Sequence, residues 1–140
     1  MRFWDASAII PLLVKEDQSE YCIQAFRTDS DMLVWTMSKV EVLSALCRRV
    51  RDGALGAASF DSAALRMNDF FESIYEVGAI QRVKERAMRL LRVHPLKAAD
   101  ALQLAAVMVA TDENVRRLPF MCFDDRLAAA ARLEGFEVNP

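Results

Sequence analysis

The chain has a single histidine, His94, and only three cysteines, Cys22, Cys47 and Cys122, with no Cys-x-x-Cys pair. That argues against a zinc site, which needs sulfur and imidazole ligands at short spacings. Three widely spaced cysteines in apolar or helical contexts also make no disulfide framework, and they suit buried thiols in a reducing compartment. Glycine and proline number four each in 140 residues, and no linker, repeat or low-complexity tail is visible. No apolar run reaches the roughly 18 residues of a membrane span. The N-terminus opens on a strand-like segment where a leader would place a basic region and an apolar stretch. The expectation is a soluble, cytoplasmic protein with no membrane partner. A 54% hydrophobic content is enough for one core and too little chain for two, so residues 1–140 are read as a single domain.

The chain also has little excess charge: 18 lysines and arginines oppose 20 aspartates and glutamates, for a net of −2. Bulk electrostatics therefore do not announce a nucleic-acid partner. The distribution is less even than the sum. Arg82, Lys84, Arg86, Arg89, Arg92 and Lys97 face one acid, Glu85, within 16 residues, and Arg48, Arg49 and Arg51 end a second segment. Solvated helix faces explain either group alone. Beside an acidic centre, they make phosphate binding worth pursuing.

Such a centre is present. Asp5 ends an apolar strand, Glu41 lies in Val40-Glu41-Val42-Leu43, and Asp100 interrupts Ala98-Ala99-Asp100-Ala101-Leu102-Gln103-Leu104-Ala105-Ala106. Burying an ionised carboxylate costs several kcal/mol, on the order expected for a desolvated ion, unless a cation or strong donors compensate it. With so few nitrogen and sulfur ligands, a shared cation would be held by oxygen, which favours Mg²⁺ or Mn²⁺.

The apolar pattern predicts strands at 2–4, 32–35, 75–77, 120–123 and 136–138. It predicts helices at 6–13, 19–27, 39–51, 57–73, 80–91, 98–110 and 125–134, with Thr36 or Ser38 capping the third. This alternation implies a three-layer α/β/α sandwich around a parallel sheet of about five strands. Ligands of such sheets bind beyond the carboxyl ends of the strands, where strand order reverses. Asp5 and Asp124 follow strands there, and Glu41 and Asp100 sit near the starts of helices that begin at the same edge. The four acids, separated by 36, 59 and 24 residues, can therefore converge.

Phe3-Trp4-Asp5-Ala6-Ser7-Ala8 resembles the opening D-x-S-A of PIN domains. Glu41-Val42-Leu43-Ser44-Ala45-Leu46 looks like their E-x-x-x-A-L helix, and His94 to Ala105 is similar to their central helix. Phe123-Asp124-Asp125-Arg126-Leu127 matches the F-D-x-x-L before their last helix. Four motifs in order from residue 3 to about 136 resemble most closely the VapC-type toxins of toxin–antitoxin pairs. The resemblance implies a divalent-metal-dependent endoribonuclease that hydrolyses RNA phosphodiester bonds with an activated water. It makes Asp5, Glu41 and Asp100 the metal-binding catalytic acids, Asp124 a fourth, and Ser7 a supporting hydroxyl. It also implies a VapB-type antitoxin in the active-site groove and a homodimer. In one departure, Cys122 stands where many relatives carry Thr or Ser, placing a weak donor beside the site.

Some residues carry a plainer meaning. Asp5, Asp124 and Ser7 also suit helix caps, and His94 before Pro95 reads as a packing residue more than a general base. Met32, Trp35, Met37, Phe60, Phe70, Phe71, Met88, Met108 and Met121 are read mostly as core, with the 60–74 region as the place for an antitoxin segment to dock. The alternative function is a catalytically weak PIN-like module that grips a basic partner segment in the same acidic pocket.

Overall fold

The computed structural model describes all residues, Met1–Pro140. In chain order the elements are β1 (Arg2–Trp4), α1 (Ala6–Leu13), α2 (Ser19–Thr28), β2 (Met32–Trp35), α3 (Ser38–Arg51), α4 (Ala57–Phe71), β3 (Tyr75–Val77), α5 (Ile80–Val93), α6 (Ala98–Ala110), β4 (Phe120–Met121), α7 (Asp125–Leu133) and β5 (Val138–Asn139), with a 3₁₀ turn at Val115–Arg117. The five strands form one sheet of order β3-β2-β1-β4-β5, and every pairing is parallel.

The two-residue period of the strands splits the core into two layers. Phe3, Trp35, Val77 and Phe120 point to the face covered by α5, α6 and α7. Trp4, Met32, Val34 and Met121 point to the opposite face, covered by α1 to α4. The result is the expected three-layer α/β/α sandwich. No helix is long and apolar enough to cross a membrane. Most of the apolar side chains in question are core: Met32, Trp35, Phe71, Met108 and Met121 are buried, whereas Met37 and Met88 are exposed. In the 60–74 region Phe60 and Phe70 pack against the core, and Leu65 is the large side chain left in solvent.

The chain runs from β1 outward to β2 and β3, then returns to the other side of β1 with β4 and β5. Strand order therefore reverses between β1 and β4. The helices after these two strands leave in opposite directions, α1 onto one face and α7 onto the other. A crevice opens where they part, which is where open parallel sheets bind ligands.

Several local expectations need correction. Neither Thr36 nor Ser38 caps α3, whose N-cap is Met37 with no side-chain bond. Thr36 Oγ1 donates to Glu76 at 3.0 Å, and the Ser38 hydroxyl accepts a bond from Gln103. The strand expected at 120–123 ends at Met121, because the Phe123 N–H turns to the Ser7 hydroxyl at 2.9 Å. The last strand starts at Val138 instead of Phe136. Gly135, at φ +94°, redirects the chain so that Phe136 plugs the core against Phe120.

Candidate functional site

A cleft of about 1170 Å³ lies at the strand-order reversal and is lined by Asp5, Ser7, Glu41, Asp100, Phe123 and Asp124, among others. Each acid comes from a different segment: Asp5 caps α1, Glu41 sits in the first turn of α3, Asp100 in the first turn of α6, and Asp124 caps α7. All four sequence-predicted acids and Ser7 thus reach one site.

Asp5 is the most deeply set, at 5% exposure. Its Oδ2 accepts bonds from the Ser7 amide at 2.9 Å and the Ser7 hydroxyl at 2.5 Å. The same hydroxyl accepts from the Phe123 amide, so Ser7 ties the ends of β1 and β4 together around the carboxylate. Cys122 adds little, with its thiol 3.9 Å from Asp5 Oδ2 and 3.6 Å from the Asp124 carbonyl. Burial pushes that thiol's pKa up, as does the charge of Asp5, so it stays protonated and unreactive. The strong donor to Asp5 is Ser7, and the weak thiol stands beside it.

Asp124 Oδ1 accepts from the Leu127 amide at 2.8 Å, a helix cap. The Asp100 Oδ2 accepts weakly from the Lys97 amide at 3.4 Å. The capping and site roles therefore coexist at Asp5, Asp124 and Asp100, since each carboxylate also lines the cleft. Glu41 Oε2 accepts from the side chain of Gln103, one helical turn beyond Asp100, at 3.0 Å.

The cleft is hard on negative charge. Burial raises the pKa of Asp5 above the usual carboxylate range, against the lowering by the Ser7 bonds, and the charge of Asp124 raises it further. Glu41 is pushed up to about 7, first by burial; the Gln103 bond opposes this, and Asp5 and Asp100 add to it. Asp100 is raised by burial and by Asp124, with Lys97 and Arg126 acting in the opposite sense. The acids sense one another's charge, the situation that a shared cation relieves.

No three of the acidic, histidine and cysteine side chains stand close enough together to hold one metal ion between them. The donor set still suits a hard cation, since Mg²⁺ is usually held by one or two carboxylates and waters, with substrate phosphate completing the shell. The cleft offers only oxygen ligands for such an ion. His94 is elsewhere: its Nε2 lies 2.6 Å from Glu134 Oε1, and it does not line the cleft.

The basic residues divide. Arg48, Arg49, Lys97 and Arg126 line the cleft, with Arg49 held by Glu16 at 2.6 Å. The basic run on α5 does not join them as one patch. Arg82 and Arg86 pair with Asp112 and Glu113 just beyond the C-terminal end of α6, about 20 Å from its N-terminus by helical rise. Sequence reasoning gave no role to Gln103, although an amide inside an otherwise apolar helix, three residues past Asp100, was the available signal.

No protein-family model matches the chain. Two known proteins are similar to it over nearly its whole length: Ribonuclease VapC45 of Mycobacterium tuberculosis strain CDC 1551 and Ribonuclease VapC49 of Mycobacterium tuberculosis strain H37Rv. Each is 28% identical over 138 residues, covering 99% of this chain and 94% of the relative. The resemblance to VapC-type proteins drawn from four short motifs therefore extends from end to end.

Proposed function

We propose that this chain is an endoribonuclease, the toxin of a VapBC-type toxin–antitoxin pair, and that its activity depends on Mg²⁺ or Mn²⁺ held at the acidic cleft. The observation that carries the reading is the meeting of Asp5, Glu41, Asp100 and Asp124, from four separate segments, in one cleft of a chain similar throughout to two ribonucleases. A partner-binding pocket would not need oxygen ligands delivered from four elements.

In this reading the acids lining the cleft would share the cation with water and substrate phosphate, and Ser7 keeps Asp5 from rotating away. The chemistry such a cation would supply, held by acids of the cleft, is a more acidic water and neutralised charge on the phosphodiester. Arg48, Lys97 and Arg126 supply positive charge at the cleft and draw the RNA backbone to it, while the acids keep the centre negative until a cation is present. Single-stranded segments fit best, because their phosphates can enter a crevice that a duplex would bridge. A VapB-type antitoxin and a homodimer complete the proposal. A basic antitoxin segment placed in the cleft would compensate the same acids and block RNA.

Induced expression of the wild-type chain beside Asp5→Ala tests this. Growth arrest with RNA cleavage, both lost in the variant, is the expected result. Folded wild-type protein that binds Mn²⁺ yet neither arrests growth nor cuts RNA would overturn it in favour of a binding module.

A further inference from the structure

Gln103 is 1% exposed, and Ser38 is completely buried. The Gln103 Nε2 donates to Glu41 Oε2 at 3.0 Å and to Ser38 Oγ at 3.1 Å, while its Oε1 has no partner at all. An unpaired buried amide oxygen is costly, and an apolar side chain of the same length would avoid that cost. Only the NH₂ end of an amide can face a carboxylate, so the contact with Glu41 itself dictates which end is left orphaned. The bond also crosses the molecule, joining α6 on one face of the sheet to α3 on the other. Such an arrangement is poor for stability and well suited to holding one carboxylate still.

We infer that Gln103 is a positioning residue: it ties Glu41 Oε2 at the wall of the cleft and thereby presents Glu41 to a divalent cation, with Ser38 fixing the amide in turn. This rests on the reading of Glu41 as a cation ligand. Glu41 and Asp100 belong to different layers, and Gln103, on the Asp100 helix, is the link that sets one relative to the other. Groups that orient metal-binding side chains through a hydrogen bond commonly matter nearly as much as the ligands.

The test is Mn²⁺ affinity by titration calorimetry on the full chain, with melting in EDTA as the control for folding. It compares wild type, Gln103→Met, the double variant Ser38→Ala/Gln103→Met and Glu41→Gln. Methionine keeps the length without the donor, and the double variant removes both hydrogen-bonding partners so that no hydroxyl is stranded. Expected is a loss of about 10–100-fold in affinity for both Gln103 variants, with the melting temperature of the double variant close to wild type. RNA kinetics should show the loss mainly in kcat, because Gln103 does not line the cleft where RNA binds. Wild-type Mn²⁺ affinity in the folded double variant, with Glu41→Gln weakened, would overturn the positioning role and leave the site intact. Unchanged affinity in Glu41→Gln would instead overturn the assignment of Glu41, and the role of Gln103 with it.

Discussion

Replacing Glu41 with glutamine should stabilise the cation-free protein at pH 8 while weakening its hold on a divalent cation. The reason is burial in the cleft, which together with the charges of Asp5 and Asp100 pushes the Glu41 carboxyl from its ordinary 4.5 up to about 7. A carboxyl whose folded pKa is raised favours folding while it is protonated. Its contribution is fully present below pH 4.5 and is lost as the pH rises through 7. At about 1.4 kcal/mol per pH unit, ionisation of Glu41 costs the fold about 3 kcal/mol by pH 8. Glutamine keeps the shape and the acceptor for Gln103 and never ionises. For a chain of this length the gain corresponds to a rise in Tm of about 5–10 °C. The assay is thermal melting of both proteins in EDTA from pH 4.5 to 8. The curves should meet at the acid end and separate through pH 5–7, with wild type falling. Asp5 and Asp100, raised in the same direction, leave a smaller slope in the variant. Adding Mn²⁺ should close most of the gap, because a ligand that binds only the folded state at 100 times its Kd adds about 2.7 kcal/mol to wild type and less to the weaker-binding variant. A variant less stable than wild type at pH 8 in EDTA, or curves that stay parallel across the range, would refute the reasoning.

Ser7→Ala removes the donor to Asp5 and the acceptor for the Phe123 amide. It should cost about 1–3 kcal/mol in denaturant melts and lower kcat for RNA. Arg48→Ala, an exposed cation at the cleft, should raise KM and reduce the slope of log affinity against log salt by about 0.7, one single-strand phosphate contact; an unchanged slope would remove Arg48 from the RNA path. His94→Ala breaks the bond to Glu134 and should lower stability by about 1–3 kcal/mol, with kcat and its pH profile unaltered. A changed profile would return His94 to the chemistry.

Much of the fold is legible in short apolar words. Arg2-Phe3-Trp4 and Met32 to Trp35 form strands with the expected bounds, because both faces of a covered parallel sheet demand apolar residues at most positions. Ala98 to Ala110 forms the expected central helix, since nearly every side of it meets core. Misjudged positions are those where a side chain outside the local window decides the outcome. Ser38 reads as a cap until Gln103, 65 residues away, occupies its hydroxyl. Phe123 reads as strand until Ser7 captures its amide. The α5 basic run suits either a solvated helix face or phosphate binding by sequence, and Asp112 and Glu113, both at positive φ, turn back to meet Arg82 and Arg86. At the cleft, residue types and order are enough to pick out four acids that line it together. The link between Glu41 and Asp100 was not visible, because a glutamine in an alanine-rich helix has no fixed partner until the layers are assembled.

The most direct test is cleavage of a single-stranded RNA by purified wild-type protein and by Asp100→Asn, each in Mg²⁺, in Mn²⁺ and in EDTA. Wild type should cut with either metal and not in EDTA, and Asp100→Asn should lose activity with its fold retained. Undiminished cutting in EDTA, or by the folded variant, would contradict the central claim that the acidic cleft holds the cation that does the chemistry.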